Sequence, residues 1–213
     1  QDVIRMEEVE SERPVEHRFY QVLALSDNRF LGFGNHFGNR IQIFNQSKVL
    51  ATYSDFPVLD EKEENNRSLW GNLASFGVSP DEKHIVITTG IGAAFEILSL
   101  SGEKISHKLV KGFYAPKYSI AQGAVPVCVI VCPETVVGFN ALHVADDCFY
   151  AVLAGPEERY NEILKFDFDG ECVHRYCLPT DIVNIHCMTV DKGWLWAFVE
   201  NKDGEIKLIK AGI

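Results

Sequence analysis

Seven histidines and six cysteines are the side chains of this chain best suited to hold a metal, move a proton or attack a substrate. The cysteines stand at positions 128, 132, 148, 172, 177 and 187. Cys128 and Cys132 are four apart but lack a second ligand pair at finger-like spacing. Cys172-x-His174 places two ligand types on one face of a strand, whereas Cys177 falls on the opposite parity. A structural zinc site requires four converging ligands, and these residues do not assemble one. They read as free thiols buried on apolar strands, with disulfides as the alternative; neither a metal nor a cofactor is expected.

Among the histidines, His143 and His186 fall on apolar stretches, and His36 falls in a turn. No Gly-x-Ser-x-Gly elbow, His-Glu-x-x-His pair or phosphate-cradling glycine loop accompanies them. Gly90-x-Gly92 follows a strand-like run but lacks the third glycine and the helix of a dinucleotide site. Asp167-Phe168-Asp169-Gly170 has the first oxygens of a calcium loop without its distal glutamate, so a hairpin turn explains it better. Trp194-x-Trp196 sets two indoles on one face of a strand, as core packing or as a platform for stacking a sugar. Trp70 and Asn72 precede another apolar strand, in a connection of the kind that bears function.

Composition narrows the chemistry further. Thirty acidic residues against twenty basic ones give a net charge of −10, unsuited to binding a phosphate backbone, so no nucleic-acid partner is expected. A hydrophobic fraction of 46% and a charged fraction of 23% suit a folded domain rather than a disordered chain. The apolar run at 125–132 contains Pro126 and is far short of the ~20 residues of a membrane helix, so no transmembrane segment is expected. The chain begins at Gln1, leaving open a removed leader or a start inside a longer protein.

The elements that must position these residues have a period of two, and helical periodicity is scarce. Short β-branched or aromatic runs, separated by polar turns, fall into four sets at about residues 19–55, 73–110, 138–178 and 183–213. Equivalent turns recur at Asp27, Asp81, Asp146 and Asp191, spaced 54, 65 and 45 residues apart by subtraction. A third strand of apolar-x-apolar form follows in each set: Ile41-Gln42-Ile43, Phe95-Glu96-Ile97, Ile163-Leu164-Lys165-Phe166 and Ile206-Lys207-Leu208. Such units at roughly 40–50 residues are the signature of propeller blades, which bury both faces only by stacking about an axis. The predicted fold class is therefore all-β, a single β-propeller domain of four-stranded antiparallel blades. Residues 111–135 read as an insertion with one extra strand at 127–131. Residues 1–10, with an apolar-rich run from Val3 to Val9, read as a candidate ring-closing strand for the last blade. The polar stretch 60–68 reads as a loop or a short helix capped at Asp60.

Several phrases together carry a resemblance: Tyr20-Gln-Val-Leu-Ala-Leu-Ser-Asp-Asn-Arg-Phe-Leu31, Asn39-Arg-Ile-Gln-Ile-Phe44, Tyr53-Ser-Asp-Phe-Pro57, Leu73-Ala-Ser-Phe-Gly-Val-Ser-Pro-Asp-Glu-Lys83 and Ile163-Leu-Lys-Phe-Asp-Phe-Asp-Gly-Glu171. In this order and spacing the chain resembles the TolB-like six-bladed propeller family of Bacteroides-type bacteria, commonly exported lipoproteins of unassigned function. The resemblance covers Arg18 to the C-terminus. Four to five blades are readable, an incomplete or shortened six-bladed ring. It implies export to the periplasm or outer membrane, a lipid anchor upstream, and no established catalytic residues. The function expected is a non-catalytic binding or scaffolding propeller of the cell envelope, with a peptide, protein or glycan at one mouth of the channel. Trp70, Asn72, His143 and His186 are the residues expected to line that mouth. The alternative is a metal-dependent propeller hydrolase or lactonase with inner-strand Asp, Glu and His ligands.

Overall fold

The computed structural model describes residues 19–36, 39–46, 48–55, 74–90, 93–109, 118–121, 128–131, 137–154 and 161–213. Among them are seventeen strands and no helix. Trp70, Asn72, the 60–68 stretch and the run from Val3 to Val9 lie outside the described residues.

Every large sheet is an antiparallel meander in chain order. Blade A contains β1 (Phe19–Ala24), β2 (Phe30–His36), β3 (Asn39–Phe44) and β4 (Val49–Asp55). Blade B contains β5 (Ala74–Val78), β6 (His84–Thr89), β7 (Ala94–Ser99) and β8 (Lys104–Leu109). A hairpin of β9 (Tyr118–Ala121) and β10 (Cys128–Val131) follows. Blade C contains β11 (Phe139–Val144), β12 (Cys148–Leu153), β13 (Glu162–Asp167) and β14 (Cys172–Cys177). Blade D contains β15 (Ile182–Asp191), β16 (Trp194–Asn201) and β17 (Ile206–Gly212). The strands of each set lie together in one sheet, and two local readings differ. The insertion holds two paired strands where one was predicted, because Tyr118–Ala121 is only four residues long, too short to announce a strand by itself. His36 ends β2 rather than occupying a turn.

The polar turns fold as their residues dictate. Asp27 and Asn28 adopt left-handed φ values of 57° and 55° between β1 and β2, which their short polar side chains tolerate. The Asp167–Glu171 turn has Gly170 at φ 84°, and Asp167 Oδ1 accepts from the Glu171 amide at 2.8 Å. It is a hairpin turn, as the missing calcium ligands suggested.

Blades stack because their apolar residues alternate between two faces. Leu31, Phe33, Ile41 and Ile43 of blade A meet Phe76, Ile85, Ile87 and Leu98 of blade B. Val86, Phe95 and Ile97, on the other face of blade B, meet Phe139, Phe149 and Phe166 of blade C. Tyr150, Val152 and Ile163, on the far face of blade C, meet Ile185, Leu195, Ala197 and Val199 of blade D. Blades B and C are thus covered on both sides, and β6 and β12 are buried through almost their whole lengths. At about 25 cal/mol per Å² of apolar surface removed from water, such burial is the main force joining one blade to the next.

Polar contacts pin the edges of these junctions. The Tyr53 hydroxyl of β4 donates to the Leu100 carbonyl at 2.7 Å, and a Cβ on Gly102 (φ +89°) would lie 2.6 Å from the Tyr53 ring. Lys108 of β8 pairs with Glu171 at 2.7 Å across the next junction. Between the hairpin turns of blades A and B, Glu82 accepts from the Ser26 amide and from Arg29 Nη2 at 2.9 Å.

Burial corrects two sequence expectations. Of the four cysteines seen free, Cys148 alone is buried, whereas Cys172, Cys177 and Cys187 are exposed. Trp194 and Trp196 are 46% and 38% exposed rather than packed between blades. Both corrections have one cause: β14 and the outer face of blade D are only partly covered, while alternation reveals a strand's two faces without showing which has a neighbour.

Candidate functional site

The first strand of each blade packs against the first strand of the next: β1 against β5, β5 against β11, and β11 against β15. These are the inner strands of the row. Their side-chain contacts advance in step, Asn140 reaching Ile185 and His143 reaching Thr189, so β11 and β15 run parallel and begin at the same mouth.

At that mouth, four polar residues form a chain of hydrogen bonds across blades C and D. Asn140 of β11 donates from Nδ2 to Asn184 Oδ1 at 2.8 Å and to the Ile185 carbonyl at 2.9 Å. Asn184 Nδ2 stands 3.5 Å from His186 Nδ1, and His186 Nε2 stands 3.1 Å from Glu200 Oε2 of β16. A carboxylate only accepts, so the consistent assignment has Nε2–H donating to Glu200 and Nδ1 accepting from Asn184. Every donor then points from Asn140 towards Glu200. His186 is exposed and Glu200 half-buried, leaving an imidazole, a carboxylate and amide groups within reach of solvent.

His143 differs. It is half-buried, with Nδ1 3.5 Å from Thr189 Oγ1 and its ring 6.3 Å from that of Tyr150. Burial pushes its pKa down, outweighing an opposing hydrogen bond with the Val190 backbone, so the ring is neutral at pH 7. His143 is anchored in the C–D junction, and His186 belongs to the exposed chain. Of the four sequence-predicted residues, these two fall on adjacent inner strands but in separate hydrogen-bonded groups; Trp70 and Asn72 lie outside the described residues.

Sequence reasoning missed Asn140, Asn184 and Glu200. A signal for two of them existed: both inner strands carry an asparagine shortly before a histidine, in Asn140-Ala-Leu-His143 and Asn184-Ile-His186. Glu200 carries no such mark, because it reaches His186 only through the β15–β16 pairing that sets Asn184 opposite it.

Chemically the cluster offers hydrogen-bond donors and acceptors for a polar ligand, without an aligned nucleophile. Among the described residues, no three His, Cys, Asp or Glu side chains are grouped so as to hold a metal ion, and no helix is long and apolar enough to cross a membrane.

A family model described as TolB-like 6-blade propeller-like matches residues 3–192. No curated protein matches the chain. Among solved structures, Raptor from Chaetomium thermophilum is 11% identical at a TM-score of 0.51, covering 88% of this chain and 14% of its own. The WD40 β-propeller domain of Doa1 is 12% identical at a TM-score of 0.44, covering 89% of this chain and 52% of its own. BamB from Moraxella catarrhalis is 11% identical at a TM-score of 0.40, with 91% and 64% covered. The chain thus spans 14% and 52% of the length of the first two, and at these identities the likeness is one of fold alone.

Proposed function

The chain belongs to the TolB-like 6-blade propeller-like family, and from that premise we propose a non-catalytic binding or scaffolding propeller of the bacterial cell envelope. Its ligand, a peptide, protein or glycan, sits at the mouth where β11 and β15 begin. The observation that carries this reading is the chain Asn140–Asn184–His186–Glu200, polar groups gathered from two blades within reach of solvent. Trp70 and Asn72 are proposed for the same mouth, whereas His143 lies near the far end of β11 beside Thr189; the family resemblance supports a periplasmic or outer-membrane setting. Fold does not fix function, so the site carries the claim.

The test is amide chemical-shift mapping with two probes, chitooligosaccharides and unstructured decapeptides of either charge. Shifts centred on Asn140, Asn184, His186 and Glu200, and abolished by Asn184→Ala, are expected with at least one probe. Shifts centred elsewhere overturn the placement. Stoichiometric zinc or calcium in the purified protein, with hydrolase or lactonase turnover lost on chelation, would overturn the non-catalytic reading.

A further inference from the structure

The hydrogen-bonded chain at the mouth ends on Glu200, whose carboxylate has no lysine or arginine beside it. Among the described residues, Glu82, Glu96, Glu162, Glu171 and Glu205 each hold one of these cations. Glu200 bonds only to His186, through Oε2, and its Oε1 accepts no hydrogen bond from a described residue. Every donor in the chain points towards Glu200, so the capacity left at this end is that of an acceptor. A matching ligand group therefore donates, and a cation donates most strongly to a carboxylate. The surroundings narrow the choice of cation. Glu200 and Phe198 are two residues apart on β16, which puts them on one face about 6.6 Å apart along the strand. Phe198 is exposed, as are Ile206 and Leu208, the β17 residues opposite Glu200 and Phe198. His186 is a bulge in β15: Ile185 pairs with Val199 and Cys187 with Phe198, so His186 opposes no residue of β16. Its ring instead reaches the Glu200 carboxylate.

We propose that the ligand of this mouth is a peptide bearing an arginine, whose guanidinium binds the Glu200 carboxylate and stacks on Phe198. The inference rests on the mouth reading above and names what that mouth recognises. A guanidinium is planar, forks onto a carboxylate with two N–H groups and lays its face on an aromatic ring. Lysine satisfies the charge but neither the fork nor the stack, and a neutral glycan brings no cation at all. The apolar stem of the arginine runs over Ile206 and Leu208, which leaves the charged head at Glu200. A net charge of −10 draws cations towards the molecule and speeds the encounter. In this arrangement Asn184 and His186 are positioning residues: they hold Oε2 and leave Oε1 for the ligand.

Titration of the full chain with an unstructured glycine–serine decapeptide carrying one central arginine tests this, read from amide chemical shifts. Shifts centred on His186, Phe198 and Glu200 are expected. Replacing the peptide's arginine by citrulline, its neutral isostere, should weaken binding about tenfold or more, and replacing it by lysine should weaken it severalfold. Glu200→Gln keeps an oxygen for His186 but removes the charge, so the arginine and citrulline peptides should then bind alike. Phe198→Leu should erase the preference for arginine over lysine while the citrulline penalty stays. Equal affinity of the arginine and citrulline peptides for the wild type overturns the inference, as does an arginine preference that survives Glu200→Gln. If a neutral peptide or a chitooligosaccharide shifts Asn140, Asn184 and His186 and the arginine peptide does not, this inference falls and the mouth reading stands. No shift at these residues with any of the probes overturns both.

Discussion

Glu96 is a carboxylate at 3% exposure, on the third strand of blade B, held by Arg40 of blade A and by Lys104 Nζ at 2.9 Å. Burial alone would raise its pKa, but the two cations outweigh burial and hold it below the usual glutamate value of 4.5. A carboxyl whose folded pKa is depressed contributes stability that is complete above the unfolded value and is lost as pH falls through the lower folded value. Glu96→Gln removes the carboxylate charge that faces the buried Arg40 guanidinium and Lys104, which costs about 3–5 kcal/mol. The expected outcome in urea unfolding is a deficit of that size at pH 7 that narrows below pH 4.5, as the wild type surrenders its ion pair and the variant has nothing to titrate. A deficit of equal size at pH 7 and pH 3 would show that the cost comes from packing rather than charge. The sequence offered only part of this. Phe95-Glu96-Ile97 reads as two core residues around an outward polar one, yet blade B is covered on both faces, so the outward position is also interior. Its partner lies 56 residues away, beyond any local pattern. Glu200 was hidden for the same reason, since it meets His186 only through strand pairing, whereas Asp27, Asn28 and Gly170 were legible because a turn's backbone demands are local.

Among the elements, the blade grammar was legible where two strands and a turn reinforce one another, and it failed where neighbours decide. β8, β11 and β12 fall within the predicted sets, while the core-packing alternative for the Trp194–Trp196 stripe needs a cover that its blade face does not have. Close approach between blades is equally silent in sequence. Gly138, just before β11, donates to the Gly90 carbonyl at 2.9 Å and accepts from the Ala154 amide at 2.9 Å. A Cβ there would lie 2.4 Å from the Thr89 carbonyl oxygen and 2.7 Å from the Ala93 nitrogen. Both obstacles are backbone and cannot swing aside. Gly138→Ala should therefore push blade C off blade B at a cost of about 1–3 kcal/mol, read as a lowered denaturant midpoint with faster exchange of the Gly138 and Ala154 amides. An unchanged midpoint would mean that the two strand ends can separate without loss.

For the molecule as a whole, the described residues join blade to blade through three separate apolar clusters, each shared by two neighbouring blades. Stability in such a row is a sum of blade terms and nearest-neighbour junctions rather than one indivisible core. The B–C junction is centred on Phe95, whose ring lies 4.8 Å from Phe166, 5.2 Å from Phe149 and 6.3 Å from Phe139. The C–D junction relies on Ile185, fully buried among Tyr150, Val152 and Leu195. Truncating either to alanine opens a cavity, costing about 3–5 kcal/mol for Phe95 and about 2–5 kcal/mol for Ile185. The two losses should nevertheless appear in different places. Ile185→Ala should speed hydrogen exchange in β12, β15 and β16 and leave β2 and β3 unchanged, because two intact junctions lie between. Phe95→Ala should speed exchange in β6, β7, β11, β12 and β13, the strands that share its cluster. Distant substitutions in separate junctions add, so the double variant should lose the sum of the two within about 0.5 kcal/mol. If Ile185→Ala accelerates β2 and β3 as much as β16, the blades open as one cooperative unit. The junction-by-junction account of this propeller then fails.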